Sequence, residues 1–289
     1  MPVDTVTVAA GDGSRLAVDL WPGGGDVPFL LVHGLASNAQ LWWGAADELH
    51  RLGHPAAAMD QRGHGRSEQA DTGYDLDTAC ADLVSVLDHL DGLEGFRGRM
   101  PVVAGQSWGA NVALEVGWRH PERVGGVVCV DGATSDLAGH FPLWEDCAKA
   151  LAPPRLAGTP LARIEAFSRQ AHGDWPESGI RGALANFEVR PDGTVAPWLS
   201  YDHHMELLRA LWEHRPSRRY PEMKVTVLLV PAGNGRPGKR DGVEAALGAL
   251  PRAGVRWFDG ADHDLHAQFP AELAAALDEE CRHGVLSGP

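Results

Sequence analysis

The protein has 289 residues, 44% of them hydrophobic and 22% charged, and a formal net charge of −14 at pH 7. A chain of this size can bury a large core, either as one domain with an insertion or as two domains. The acidic balance argues against nucleic acid or an anionic membrane as a partner. Because the sequence shows neither an apolar run of the ~18 residues that a membrane span requires nor a secretory signal, we expect a cytoplasmic protein. Its four scattered cysteines fit reduced thiols in that compartment.

The N-terminal residues predict an antiparallel hairpin at a sheet edge, followed by buried strands. Residues 3–9 and 15–21 alternate apolar and polar side chains around a Gly11-Asp12-Gly13 turn. Residues 28–32 are continuously apolar, as in a strand that is covered on both faces. The patterns that follow predict a helix over 41–52, a strand over 54–59, a polar glycine-rich loop over 60–67 and an amphipathic helix over 76–90.

The stretch from residue 100 to residue 120 contains a serine between two glycines. An apolar run over 100–104 leads into Gly105-Gln106-Ser107-Trp108-Gly109, and apolar residues at helical spacing follow. A G-x-S-x-G sequence between a strand and a helix is typical of a nucleophile elbow, in which a strained turn lifts the serine hydroxyl above the sheet. The N-terminus of the next helix offers N–H donors and a positive dipole end to a developing oxyanion. The pattern therefore predicts Ser107 as a nucleophile.

Strands and helices alternate through most of the chain, but this alternation stops between residues 133 and 221. It predicts an α/β fold in which helices flank a mainly parallel central sheet of about eight strands. The elements predicted around the break are strands over 124–130, 224–230 and 255–258 and helices over 241–250 and 271–281. Residues 133–221 contain helical pieces (143–151, 160–171 and 201–213) but no strong buried strand. We therefore expect residues 1–132 and 222–289 to form the core and residues 133–221 to form a helical lid.

Four motifs, each after a predicted strand, resemble those of α/β-hydrolase-fold enzymes, and the resemblance spans essentially the whole chain. They are His33-Gly34, the loop Asp60-x-Arg62-Gly63-x-Gly65-x-Ser67, the elbow at Ser107, and Gly-x-x-His263. The resemblance implies a Ser-His-Asp triad, whose members occur in this fold in the order serine, acid, histidine. It implies His263 as the general base that activates Ser107. His266 is the competing histidine and lies three residues closer to the final helix.

The acid of the triad is where this sequence departs from the common pattern of the family. The resemblance places a carboxylate in the loop after the strand that follows the insertion, but Arg236 stands near that position. Asp131 lies at the end of the preceding strand, a position that some members of the family use. We therefore predict Asp131 as the acid, with Asp136, Asp241 or a dyad without an acid as alternatives.

The resemblance also implies an oxyanion hole made by the backbone N–H groups of Leu35 and Trp108. Gly34 allows a close approach of the backbone, and His33 is expected mainly to hold the shape of its loop. The loop over 60–67 resembles a structural motif, with Arg62 bonded to backbone carbonyls and no catalytic role. The lid would supply an apolar or aromatic wall for the substrate. The candidate pocket residues are His33, Gly34, Trp144, Trp198 and Trp212.

These features predict a serine hydrolase that cleaves a carboxylic ester, lactone or thioester through an acyl-enzyme intermediate. An acyltransferase, a lyase or a cyclase would use the same triad, and a non-catalytic small-molecule receptor is the alternative from another class. Epoxide hydrolases and haloalkane dehalogenases resemble this fold but carry an aspartate at the elbow. We expect a small-molecule substrate with an apolar or aromatic part, and a monomer or homodimer. No cofactor or metal is expected, because the close histidine pairs His203-His204 and His263-x-x-His266 suggest no third ligand. A Gly-, Ala- and Arg-rich composition indicates a bacterial source.

Overall fold

A computed structural model describes residue 2 and residues 4–25, 27–233 and 238–287. The strands are β1 (Asp4–Ala9), β2 (Arg15–Trp21), β3 (Phe29–Val32), β4 (Ala56–Met59), β5 (Val102–Gln106), β6 (Gly126–Val130), β7 (Thr159–Pro160), β8 (Phe187–Val189), β9 (Thr194–Pro197), β10 (Val227–Val230), β11 (Ala232–Gly233), β12 (Ala253–Val255) and β13 (Phe258–Asp259). The α-helices are α1 (Trp43–Arg51), α2 (Leu76–Leu90), α3 (Trp108–Arg119), α4 (Leu137–His140), α5 (Trp144–Leu151), α6 (Leu161–Ala171), α7 (Glu177–Leu184), α8 (Tyr201–Glu213), α9 (Lys239–Ala249), α10 (Leu265–Gln268) and α11 (Pro270–His283). Short 3₁₀ helices lie at Ala39–Trp42, Pro216–Arg218 and Tyr220–Glu222.

The described residues form a central eight-stranded sheet with the order β1-β2-β4-β3-β5-β6-β10-β12. The pairs β1–β2 and β2–β4 are antiparallel, and the remaining neighbours are parallel. This sheet confirms the predicted α/β class, its mainly parallel strands and the antiparallel hairpin at one edge. The inner strands β3 to β6 and β10 are buried throughout, which agrees with their continuous apolar sequences.

Helices cover both faces of the sheet, and each face has its own hydrophobic core. Successive residues of a strand point to opposite faces, so Leu30 and Val32 join one core while Phe29 and Leu31 join the other. The first core includes apolar residues of α2, α3 and α9, and the second includes those of α1, α10 and α11. Burial of each leucine or phenylalanine side chain contributes roughly 1.5–3 kcal/mol to the free energy of unfolding. The two cores therefore stabilise the sheet from both faces.

The segment between β6 and β10 contains five α-helices, two short 3₁₀ helices and a small antiparallel sheet in the order β7-β9-β8. Helices α5, α6 and α8 lie where the sequence predicts them, and the three short strands are additions that the sequence did not indicate. The hairpin β8–β9 turns at Asp192-Gly193, where Gly193 has a φ of +79°. A D-G pair between short apolar runs is a hairpin signal. Its strands are only three and four residues long, which hid them among prolines and glycines.

Two other boundaries differ from the sequence-based expectation. The predicted strand over 255–258 is divided between β12 and β13, and β13 pairs with β11 rather than with the central sheet. The predicted strand over 224–230 begins only at Val227. None of the helices in the described part of the chain is long and apolar enough to cross a membrane. The division into core and lid at residues 132 and 222 stays a prediction.

Candidate active site

The predicted catalytic residues lie at the carboxyl edge of the sheet. Ser107 comes directly after β5, Asp131 directly after β6, and His263 lies in the loop after β13. Strand β5 pairs with β6 and β6 pairs with β10, while β13 pairs with β11, which follows β10 after one residue, so these loops meet at one edge. Open α/β sheets bind their ligands at this edge.

Ser107 lies on a strained turn between β5 and α3. Its φ of +54° and ψ of −114° are unusual for a residue with a side chain. A Cβ at Gly105 would overlap the carbonyl group of Gly109, and one at Gly109 would overlap the carbonyl oxygen of Val32. The two flanking glycines are therefore a steric requirement of the elbow, and the turn leaves Ser107 partly exposed.

Asp131 and His263 form a short hydrogen bond, with 2.6 Å between Oδ2 of Asp131 and Nδ1 of His263. The Asp131 side chain is 3% exposed and that of His263 is 37% exposed. The other carboxylate oxygen, Oδ1, accepts bonds from the backbone N–H of Ala232 at 2.9 Å and from Nζ of Lys239 at 2.7 Å. Burial alone would raise the pKa of Asp131, but the bonds from His263, Lys239 and Ala232 outweigh it and hold the pKa below its ordinary value. Asp131 is therefore an anion at neutral pH.

The alternative acids and the alternative histidine are bound or located elsewhere. Asp136 accepts bonds from the N–H and the hydroxyl of Ser217, and Asp241 is exposed in the first turn of α9. His266 is fully buried, and its ring packs on that of Trp42 with 4.4 Å between the centroids. The position of Arg236 lies outside the described residues. Of the predicted residues, the structure therefore brings Asp131 and His263 together, while their catalytic roles stay predictions.

The two segments of the predicted oxyanion hole are joined through Gln61. The side-chain amide of Gln61 donates to the carbonyl oxygen of His33 at 2.6 Å and accepts from the indole N–H of Trp108 at 3.0 Å. The backbone N–H of Gln61 donates to Nε2 of His33 at 3.0 Å. A Cβ at Gly34 would overlap Oε1 of Gln106, so any other residue there would require the Gln106 side chain to shift. His33 and Trp108 therefore hold the loop rather than contact a substrate with their side chains.

His64 supports the same loop one residue beyond Leu35. Its Nε2 accepts from the backbone N–H of Ala36 at 3.2 Å, and its Nδ1 bonds to the carbonyl oxygen of Arg62. Ala36 has a φ of +54°, which costs conformational energy that such a bond offsets. Burial lowers the pKa of His33 to about 4 and that of His64 to about 3. Both rings are therefore neutral at pH 7 and can accept these hydrogen bonds.

The loop over 60–67 thus differs from its sequence-based interpretation in two respects. Its residues Gln61 and His64 bond to the segments that carry the predicted oxyanion donors, so the loop affects the geometry of those segments. Its Arg62 binds the carboxylates of Asp82 and Asp12 and the hydroxyl of Ser14, with one long contact to the carbonyl of Thr72. Sequence reasoning missed Gln61, His64 and Lys239 as parts of the site, and only the polarity of a loop after a buried strand could have indicated the first two.

Ser107 and His263 line one cavity of about 660 Å³. Leu35 and Asp131 also line it, and the segment after β6 closes it with Phe141, Leu208, Leu211 and His140. Among the described residues that line this cavity, none is a tryptophan, and the expected tryptophan wall stays a prediction. Trp198 lines a different cavity.

Trp144 and Trp212 pack against each other instead, with 5.9 Å between their ring centroids. The indole of Trp212 donates to the carbonyl oxygen of Phe141 at 2.7 Å, and Arg209 lies over both rings. Leu208 and Leu211 of α8 line the cavity, whereas Trp212 packs on Trp144 of α5.

No cluster of three metal-ligating side chains is found within residues 4–25, 27–233 and 238–287. The cavity instead brings together an anionic carboxylate, an imidazole and a serine. A carboxylate bonded to Nδ1 fixes the tautomer in which Nε2 carries the lone pair. In this tautomer Nε2 of His263 is a base, and Ser107 lines the same cavity.

Comparison with known proteins supports the fold over most of the chain. Residues 29–276 match the model of the alpha/beta hydrolase family. Epoxide hydrolase B of Mycobacterium tuberculosis is 35% identical over 101 residues, 34% of this chain and 27% of that protein. A non-heme chloroperoxidase of Streptomyces lividans is 32% identical over 124 residues, 43% of this chain and 43% of that protein. The chain therefore spans less than half the length of these curated relatives.

A solved structure gives the same result at lower identity. The crystal structure of an E-2-(acetamidomethylene)succinate hydrolase matches with a TM-score of 0.77 and 22% identity, covering 95% of this chain and 97% of that one. At this identity the likeness shows the fold alone. The chemistry of the site has to be argued from its own residues.

Proposed function

The chain belongs to the alpha/beta hydrolase family, and from that premise we propose that it is a serine hydrolase acting on a carboxylic ester, lactone or thioester. The observation that carries this proposal is the 2.6 Å bond between Asp131 and Nδ1 of His263 at the cavity that Ser107 lines. Family membership supports hydrolysis in general. The residue types at the site support the acyl class.

Each residue has one role in the proposed reaction. Nε2 of His263 takes the proton from Ser107 as the hydroxyl attacks the carbonyl carbon, and Asp131 stabilises the imidazolium that forms. The N–H groups of Leu35 and Trp108 receive the negative charge on the carbonyl oxygen. His263 then gives its proton to the leaving group and activates a water that releases the acid. A correctly placed acid contributes about 10⁴-fold in kcat, and each oxyanion donor about 10²–10³-fold.

The nucleophile discriminates between carbonyl and epoxide substrates, although one relative is named an epoxide hydrolase. A serine that attacks a carbonyl forms an ester, which the same histidine and water can hydrolyse. A serine that opened an epoxide would form an ether, which activated water does not cleave. Turnover of epoxides by a covalent route needs a carboxylate nucleophile, and Ser107 occupies that place here.

The cavity sets the substrate class more narrowly. Its volume of about 660 Å³ and the apolar side chains of Leu35, Phe141, Leu208 and Leu211 suit a small molecule with an apolar part beside the reacting carbonyl. In this proposal, residues 133–221 act as the lid that excludes water from the acyl-enzyme intermediate. The site is proposed to need no cofactor, because Ser107, His263 and Asp131 supply the nucleophile, the base and the acid.

The proposal is tested with a panel of p-nitrophenyl esters and acyl thioesters of increasing chain length. We expect turnover by the wild-type protein, with the highest kcat/KM over one range of chain lengths. Ser107→Ala should lower kcat by at least 10³-fold. An acyltransferase would release the acid only slowly without an added acceptor alcohol or amine. A folded wild-type protein that turns over no member of the panel, with or without acceptors, would contradict the proposal.

A further inference from the structure

A second cavity of about 400 Å³ adjoins the one that contains Ser107. In the loop after β3, Leu35 lines the first cavity, whereas Ala36 and Ser37 line the second. His204 of α8 lines both. The two cavities therefore meet at one buried imidazole beside the segment that holds the proposed oxyanion donor.

The second cavity has an apolar body and a cationic mouth. Leu156, Phe187 and Trp198 are among the residues that form the body. Arg155 and Arg190 are exposed at its edge. The guanidinium of Arg155 lies 4.0 Å from the centroid of the Tyr201 ring, which holds it at the cavity.

The charge of this wall is opposite to that of the chain. Among the described residues that line the second cavity, none is an aspartate or a glutamate, although the chain has a net charge of −14. Burial lowers the pKa of His204 to about 4 and that of His64 to about 3, so both rings are neutral at pH 7. The two arginines therefore provide the formal charge of the wall, and they favour an anion over a cation or a neutral group.

We propose that the second cavity binds an apolar organic acid, with its chain or ring in the body and its carboxylate between Arg155 and Arg190. This inference rests on the proposed function in one respect, since the acid would be the distal part of the ester that Ser107 attacks. The substrate is then an amphipathic anion whose reacting carbonyl lies in the first cavity. His204 separates the two halves.

Binding is measured by titration calorimetry on the Ser107→Ala protein with 4-phenylbutyrate and its neutral counterpart 4-phenylbutanamide. We expect the acid to bind at least tenfold more tightly, and Arg155→Gln with Arg190→Gln to remove that difference. The matched control is Arg163→Gln with Arg181→Gln, which removes two exposed arginines from α6 and α7 that line neither cavity. Equal affinity for acid and amide, no binding, or no effect of the first pair would overturn the proposal.

Turnover then tests whether the site belongs to the substrate. One series of p-nitrophenyl monoesters of dicarboxylic acids carries the anion on the acyl side, and acetyl esters of ω-hydroxy acids carry it on the alcohol side. Each acid is compared with the substrate in which a neutral carboxamide replaces its carboxylate. In one of the two series we expect the acid to have a kcat/KM at least tenfold higher at some chain length. The Arg155→Gln, Arg190→Gln double variant should remove this preference. The absence of a preference in both series would overturn the role as a distal subsite.

The two proposals fail in distinguishable ways. Turnover of p-nitrophenyl acetate, which needs only the first cavity, without arginine-dependent binding would overturn the second site alone. Arginine-dependent binding of 4-phenylbutyrate without turnover of any ester would contradict the hydrolase and leave the anion site standing.

Discussion

The side-chain amide of Gln61 lies between the indole of Trp108 and the carbonyl of His33, at 3.0 and 2.6 Å. These partners belong to the two segments that carry the proposed oxyanion donors, one after β5 and one after β3. Gln61 is buried, so water does not replace these bonds when the amide is lost. One amide thus sets the separation of the two segments, although it belongs to a loop that the sequence suggested was only structural.

Replacement of Gln61 by methionine should lower kcat by about 10–100-fold with a smaller change in KM. The reason is that oxyanion donors act mainly in the transition state, where a misplaced donor forfeits part of its 10²–10³-fold contribution. Trp108→Phe removes the indole donor and should have a similar effect. The double variant should be no worse than the poorer single variant, because both remove one connection.

Gln69→Met, which replaces an exposed glutamine of the same region, is the control and should retain wild-type kcat. Strictly additive losses in the Gln61 and Trp108 variants, or an unchanged kcat in Gln61→Met, would show that this bond does not position the oxyanion hole.

Asp131→Asn should lower kcat by about 10⁴-fold, because an amide cannot stabilise the imidazolium and favours the wrong tautomer of His263. Asp136→Asn and Asp241→Asn are matched controls and should retain most of the activity, since Asp136 binds Ser217 and Asp241 is exposed on α9. Steady-state kinetics on one p-nitrophenyl ester compares all three. A near-normal rate in Asp131→Asn would move the acid to another residue.

Lys239→Met removes the ammonium group that lies 2.7 Å from Oδ1 of Asp131. The Asp131 carboxylate then loses one of its two donors at Oδ1, so it should orient the His263 ring less firmly. We expect a loss of about three- to tenfold in kcat at pH 7, well short of the effect of Asp131→Asn. Lys149→Met, at an exposed site on α5, should leave kcat unchanged. A wild-type kcat in Lys239→Met would refute this positioning role.

Buried histidines should make the protein acid-sensitive well above the range in which carboxylates titrate. Burial lowers the pKa of His33 to about 4 and those of His64 and His266 to about 3, whereas the unfolded value is about 6.5. The unfolded chain therefore binds more protons below pH 6.5, and the free energy of unfolding falls as pH decreases from 6.5 toward the folded pKa values. Each neutral histidine contributes a slope of up to about 1.4 kcal/mol per pH unit.

Urea unfolding at several pH values between 5 and 7.5 measures this slope. His64→Gln should reduce it by up to about 1.4 kcal/mol per pH unit, whatever its effect on stability at pH 7.5. His283→Gln, an exposed histidine at the end of α11, should leave the slope unchanged. A free energy of unfolding that is flat between pH 5 and 6.5 would show that the buried rings take up protons in the folded state.

The sequence predicted those features that depend on local periodicity. Residues 76–90 form α2 with the predicted bounds, because Asp75 accepts a bond from the N–H of Thr78 at the start and one apolar face packs on the sheet. The elbow was predictable for the same reason, since a strand, a glycine-flanked serine and a helix are adjacent in the chain. Their order along the chain also located His263 and Asp131.

Contacts between distant segments could not be predicted in this way. The bonds of Gln61 to Trp108 and of Lys239 to Asp131 join residues 47 and 108 positions apart, and no spacing rule connects them. The sequence could not show which side chains of α8 line the cavity, because composition does not say which way each one points. Leu211 lines the cavity, whereas the adjacent Trp212 packs on Trp144.

The central claim is that Ser107 is a nucleophile activated by His263. The most direct measurement is the intact mass of the protein after incubation with a fluorophosphonate, followed by peptide mapping of the adduct. The account predicts one adduct on Ser107, none in Ser107→Ala, and much slower labelling in His263→Ala. A folded wild-type protein that remains unlabelled, or that carries the adduct on another residue, would contradict it.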